Sequence, residues 1–236
     1  MTPDVLALGL IWYFVLLLSL TVHEAAHGWV ALRLGDETAY LAGQVALDPL
    51  PHIRREPFGM VLVPILFFGL SVARGGAPWM IGWASTPYDS NWAFAHPRRA
   101  GWMALAGPAS NLFLALLAAA IIRVGVSQGV FVPGLLTFES VAMATVPGVW
   151  ETFATLLSLV FSLNLLLFVF NLLPVPPLDG SGMLNLFVRE DQAQRIMEWM
   201  AQPGWAFGGL LVAWLLIRRI FYPIFIQACQ MLYVGV

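Results

Sequence analysis

Apolar residues run along this chain in five long blocks, and proline and glycine punctuate the segments between them. The first block predicts a helix over about Asp4–Arg33. Thr38–Asp48 alternates loosely between polar and apolar residues, contains Gly43 and ends at Asp48-Pro49, a pattern that suits a short strand or hairpin. Phe58–Val72 is apolar but interrupted by Pro64 and Gly69, and a Trp-rich loop over Pro78–Pro97 suits a bilayer interface. Cleaner spans follow at about Ala100–Ile122 and Val149–Leu173. Met183–Met200 carries Arg189, Glu190, Asp191, Arg195 and Glu198, too many charges for a span, and is placed at the surface. Trp205–Ile217 is the last span, stopped by Arg218-Arg219, and the tail from Ile220, broken by Pro223, suits the interface. A span takes about 20 apolar residues, so the pattern predicts an all-α polytopic membrane protein. The expected form is a bundle of about five to six transmembrane helices with a small membrane-associated β-hairpin or re-entrant segment.

Composition sharpens this picture. Hydrophobic residues make up 60% of the 236 and charged ones 10%, with a mean hydropathy of +0.81, whereas soluble domains carry roughly a quarter charged residues. A single membrane-embedded domain over 1–236 is expected. A net charge of −2 gives no reason to expect nucleic acid as a partner. Cys229 is the only cysteine, which excludes an internal disulfide and a Cys-based zinc cluster, so a metal site must use His, Asp or Glu. The apolar start, Val5–Leu20, resembles a signal peptide in hydropathy alone. No cation precedes it and histidines follow where a cleavage site would sit, so it reads as a retained span.

Those histidines belong to His23-Glu24-Ala25-Ala26-His27, an HExxH pattern inside the first helix. A spacing of four puts both imidazoles on one helix face, where they can grip one zinc ion while Glu24 activates water as general base. The plainer reading is a coincidental spacing. Against it, three ionisable groups within five residues of a lipid-buried helix are expensive and usually functional. A third ligand is needed. His52 and His96 lie in polar, Pro-flanked loops and read as exposed loop histidines. Asp179 follows the fourth span in Asn171-Leu-Leu-Pro174-Val-Pro176-Pro177-Leu-Asp179-Gly180, whose three prolines forbid a continuing helix. Such a segment either delivers a carboxylate to the metal or is a simple helix end with an Asp-Gly turn.

Taken in order, HEAAH, Ala106-Gly107-Pro108-Ala109-Ser110-Asn111 and the Asn171–Gly180 segment resemble the site-2 proteases, the intramembrane zinc metalloproteases. Gly82-Trp83-Ala84 is similar to the family's Gly-Trp-Ala stretch. The chain departs from the pattern at Ser85-Thr86, where related short members carry a lysine before proline, and no PDZ or CBS regulatory domain is recognisable. The resemblance implies one zinc ion held by His23, His27 and Asp179, Glu24 as catalytic base, and a substrate-binding role for the Asn171 segment. It also implies transmembrane protein or peptide substrates in a lipid bilayer, and leaves room for a regulatory membrane partner. For an oxyanion donor, Asn171 is the first candidate and Asn111 the second, although Asn111 could equally tie helices together. Ser110, Gly107, Ala109 and Gly28 are assigned to close helix packing.

A shared metal fixes topology. The end of the first helix, the start of the third span and the end of the fourth must lie on one membrane side, so Phe58–His96 must cross and return or dip in and come back. Seven arginines (Arg33, Arg54, Arg55, Arg98, Arg99, Arg189 and Arg195) then fall on the metal side against four opposite (Arg74, Arg123, Arg218 and Arg219). That imbalance points to a multi-pass protein of the cell (inner) membrane with its active site toward the cytoplasm. Two other readings use the same residues. A zinc-binding or zinc-transport protein would use the ligands but has no need of Glu24. A different HExxH protease would take Glu139, Glu151 or Glu198 as third ligand, though none has a matching motif.

Overall fold

The computed structural model describes residues 2–76, 78–202 and 204–235. Among the described residues four helices are long and apolar enough to cross a membrane: α1 (Pro3–Leu34), α6 (Pro97–Ser127), α7 (Val149–Asn171) and α10 (Trp205–Leu232). Between α1 and α6 lie the short α2 (Thr38–Leu41) and α3 (Pro49–Arg55), then a π-helical turn at Phe58–Leu62 leading into α4 (Val63–Ala73), and α5 (Ser90–Ala95). A bend of 110° separates α3 from the Phe58–Ala73 limb, and counting this pair as one broken span brings the total to five. After α7 come α8 (Asp179–Met183), a 3-10 turn at Leu184–Leu186 and the polar α9 (Glu190–Met200).

The part of the fold that carries the HExxH motif is built by α1, α6 and α7. Ser19, His23 and His27 of α1 meet Asn111 and Met103 of α6 in reverse order, so these helices are antiparallel. Asn164 of α7 reaches both Asn111 and Ser19. The end of α1 and the start of α6 therefore share one side, and Asp179, shortly after the end of α7, reaches His23 and His27 on that same side.

The limb between α1 and α6 goes down and comes back. Phe68 of α4 packs where a Cβ on Gly9 would stand, 2.5 Å away, near the far end of α1. The return limb, residues 78–89, is an extended strap with no helix or strand of its own. It rises along α1: Trp79 lies beside Trp12, Gly82 beside Leu16, Thr86 against Glu24, and the Asp89 N–H on Asp36. Irregular backbone at membrane depth survives only where protein covers it. Gly59 and Gly82 make that cover possible, because a Cβ on Gly59 would sit 2.3 Å from the Trp83 carbonyl and one on Gly82 2.7 Å from the Gly59 carbonyl. The close approach lets the Trp83 N–H donate to Gly59 O at 3.2 Å.

Three elements differ from expectation. Thr38–Asp48 is a helical turn followed by bends, because the buried Asp36 carboxylate takes both the N–H and the hydroxyl of Thr38 and curls the chain there. The hairpin lies instead between α6 and α7, with β1 (Phe131–Thr137) antiparallel to β2 (Ser140–Ala144). Ser158 of α7 accepts the Val141 and Ala142 N–H groups and the Tyr233 hydroxyl donates to Val141 O, so the inner strand edge is satisfied. Its tip residue, Phe138, stacks among Trp12, Trp79, Phe221 and Phe225. Finally, α10 runs unbroken past Arg218, Arg219 and Pro223 to Leu232. Phe221, Phe225, Cys229 and Leu232 recur at near-helical spacing and are all buried, while the arginines point outward. In an apolar medium one bond lost at proline costs less than abandoning the helix.

Candidate metal centre

Helical spacing brings His23 and His27 together on α1, with ring centroids 4.6 Å apart and Nε2 atoms 3.0 Å apart. Asp179, first residue of α8, places Oδ2 3.1 Å from His23 Nε2 and Oδ1 3.3 Å from His27 Nε2. The three prolines after α7 turn the chain back toward α1, and Gly180 lets α8 nest against the helix end. A Cβ there would meet the Leu173 and Leu172 carbonyls at 2.4 and 2.5 Å.

The hydrogen-bond directions decide what these groups can do. The Val160 carbonyl can only accept, so Asn164 Nδ2 donates to it at 2.8 Å, and also to Ser19 Oγ at 2.9 Å. Asn164 Oδ1 must then accept from Asn111 Nδ2 at 2.8 Å, which leaves Asn111 Oδ1 to accept the Nδ1–H of His23 at 2.6 Å. His27 Nδ1–H donates to the Met103 carbonyl at 2.7 Å. Both Nε2 atoms therefore carry lone pairs, and both face a carboxylate. Asp179 Oδ2 is buried without a hydrogen-bond donor. Three acceptors aimed at one another in a buried site repel unless a cation joins them. Ligand atoms from the three residues lie within 4.8 Å of one another, and among the described residues no other such cluster of His, Cys, Asp or Glu occurs. Two imidazoles and a carboxylate, each imidazole oriented through its other nitrogen, fit zinc with one position open.

Gly107 is part of this fit. A Cβ there would stand 2.3 Å from His27 Nε2 and 2.6 Å from His23 Nε2, in the space where the ligand atoms converge. Glu24 is buried beside the histidines, and its Oε2 accepts the Thr86 hydroxyl at 2.7 Å.

The sequence profile of Peptidase family M50 matches residues 11–216, most of the chain. The chain belongs to Peptidase family M50. YwhC of Bacillus subtilis (strain 168), named as a zinc metalloprotease, is 35% identical over 176 residues, covering 73% of this chain and 68% of YwhC. Rip2 of Mycolicibacterium smegmatis, also so named, is 30% identical over 203 residues, or 85% of this chain and 64% of Rip2. Rip2 of Mycobacterium tuberculosis (strain Erdman) is 29% identical over 213 residues, covering 84% of this chain and 70% of that protein. The chain thus spans about two thirds of the length of these relatives. No solved structure matches it. As an M50 member it is a multi-pass membrane zinc metalloprotease, and His23, His27 and Asp179 form a group of side chains with the spacing a metal ion needs.

Within this M50 site some expected residues stand elsewhere. Asn111 holds His23 and links three helices, so its amide is already engaged. Asn171 ends α7, half-buried, and among the described residues its side chain has no hydrogen-bond partner. His52, expected on the surface, is 1% exposed, its Nε2 3.2 Å from the Ala46 carbonyl, while His96 is exposed as expected. Neither joins the cluster. Ser110 donates to Gly107 O within α6, in keeping with a packing role. Sequence reading missed Ser19, Asn164, the Met103 carbonyl and Thr86. Ser19 and Asn164 had one usable signal, polar side chains within apolar spans.

Proposed function

We propose that this protein is an intramembrane endopeptidase of the site-2 type, hydrolysing peptide bonds in or near transmembrane segments of membrane-protein substrates. The carrying observation is the depth of the cluster within the fold. His23 and His27 lie on a 32-residue apolar helix and are buried among α1, α6 and α8, so the site works on chains presented from within the bundle.

Zinc held by His23, His27 and Asp179 supplies Lewis acidity, which polarises a scissile carbonyl and acidifies water. The chain's own residues do the rest. Asn111 and Met103 fix both imidazoles in the tautomer that offers Nε2. Glu24, next to His23, takes the water's proton and returns it to the leaving amine. Asn171, at the point where α7 unwinds toward Asp179, has its amide free among the described residues and is the oxyanion donor of this reading. The arginine excess on the metal side supports a cytoplasm-facing site in the cell membrane.

The test is Glu24→Gln in purified, zinc-loaded protein, with a single-span substrate carrying a central Gly-Pro pair and products mapped by mass spectrometry. A positioned acid/base group contributes about 10²–10⁴-fold in rate, so cleavage should fall by at least that range while zinc content stays near one per chain. Cleavage by the variant at the wild-type rate overturns the mechanism. No cleavage by either form, with zinc moving across vesicles, replaces it with transport.

A further inference from the structure

We infer that Thr86 is a positioning residue for Glu24: its hydroxyl holds one carboxylate oxygen so that the other faces the reacting water and neither swings onto the metal. The inference rests on the protease reading for its catalytic consequence, but its structural content concerns only Thr86, Glu24 and the ligand cluster. Thr86 is one of the two positions at which the chain departs from the family pattern, so the resemblance does not supply a role for it.

Thr86 Oγ1 lies 2.7 Å from Glu24 Oε2 and 2.9 Å from the Glu24 carbonyl. A hydroxyl has one proton to give. Inside α1 the Glu24 carbonyl already takes the amide four residues on, so Oε2 is the acceptor that lacks another donor. Among the described residues the Glu24 carboxylate has no other hydrogen-bond partner, although the residue is 5% exposed. Without the hydroxyl, a buried carboxylate next to a metal ligand has one obvious partner left, the metal itself. Carboxylate oxygens are ordinary zinc ligands, and a fourth protein ligand would close the open position that catalysis needs.

The hydroxyl is held in place from both sides. Upstream, the Trp83 N–H bonds Gly59 O, and Ser85 donates to Glu56 Oε1 while accepting from Arg55 Nε at 3.2 Å. Downstream, Pro87 keeps Thr86 out of the helical region, and the Asp89 N–H bonds Asp36 Oδ2 at 3.0 Å. The strap therefore delivers Thr86 to Glu24 at a fixed height along α1. Ser85 and Thr86 divide the work: one anchors the strap to α3, the other holds the carboxylate.

The test needs no substrate for its first reading. Cobalt replaces zinc in the full chain, and the visible absorption of wild type, Thr86→Val, Thr86→Ser and the same pairs on a Glu24→Ala background is compared. Thr86→Val should change the spectrum as the Glu24 carboxylate takes the open position on the metal, Thr86→Ser should match wild type, and on the Glu24→Ala background Thr86→Val should change nothing. The second reading is cleavage of the Gly-Pro single-span substrate. There Thr86→Val should lower kcat by about 10–100-fold, the worth of one hydrogen bond to a charged group, with KM little changed, and Thr86→Ser should restore it. A wild-type spectrum in Thr86→Val, or the same shift on the Glu24→Ala background, overturns the inference. Spectra as expected with no cleavage by wild type leave Thr86's hold on Glu24 standing and reject the intramembrane reading of the substrate instead.

Discussion

Asn111 accepts the Nδ1–H of His23 at 2.6 Å, and the direction of that bond is set two residues away by the Val160 carbonyl acting through Asn164. A histidine of the candidate metal cluster on α1 thus takes its tautomer from the backbone of α7. The arrangement is fully buried, with Ser19, Asn111 and Asn164 each at 0% exposure. Pairing matters at that depth, since leaving a buried polar group unsatisfied costs about 1–3 kcal/mol.

Asn111→Ala is expected to weaken zinc binding by about 10–100-fold, the range seen when the partner of a ligating histidine is removed. Competition with a chromophoric chelator measures it. Asn111→Asp keeps an acceptor for His23 and should lose less than Asn111→Ala. Equal affinity in the alanine variant and wild type would mean that the bond does not orient His23 for the metal.

Gly107→Ala should be at least as damaging, although it adds only a methyl group. Its Cβ would press within 2.6 Å of Nε2 of both histidines. The added atom sits on helix backbone, so relief requires the imidazoles or the helix to move. Zinc content by mass spectrometry should drop in this variant. An alanine at Gly69, where a Cβ meets nothing within 4 Å, is the control and should keep its zinc.

Asp36 gives the protein an acid-sensitive fastening outside the spans. Burial raises its carboxyl pKa, but the Thr38 hydroxyl, the Thr38 N–H and the Asp89 N–H favour the charged form, and the net position is below the ordinary value. A depressed folded pKa contributes stability above the unfolded value of about 3.9, and the contribution fades as pH falls through the folded value. The Tm difference between wild type and Asp36→Asn in detergent should therefore be steady above about pH 5 and narrow below about pH 4. A difference that widens on acidification would contradict the assignment.

The cluster itself was legible because its residues violate their surroundings. His23, Glu24 and His27 are ionisable in an apolar helix, and Asp179 follows prolines that end one. The partners were less visible. Thr86 lies on a strap whose path depends on Gly59 and Gly82 allowing two backbones to touch, and no local pattern encodes that distance. Met103 contributes only a carbonyl, which every residue has. The hairpin at 131–144 escaped notice because its strands find partners in Ser158 and Tyr233, far along the chain. Thr38–Asp48 showed loose alternation, but the Asp36 carboxylate overrides it with a local turn. In α10, arginine and proline are local stop signals that the burial of Phe221, Phe225, Cys229 and Leu232 overrules.

The chain of amides from α7 to His23 has a consequence for how the protein matures. A zinc finger is organised by its metal, because the ligands gather only when the ion arrives. Here His23 acquires a defined donor and acceptor only after α1, α6 and α7 have come together in lipid, since the Val160 carbonyl, Asn164 and Asn111 stand on two of them. The geometry that offers His23 Nε2 to an ion is thus a product of helix assembly, built by the amides of α6 and α7 and not by the ion itself.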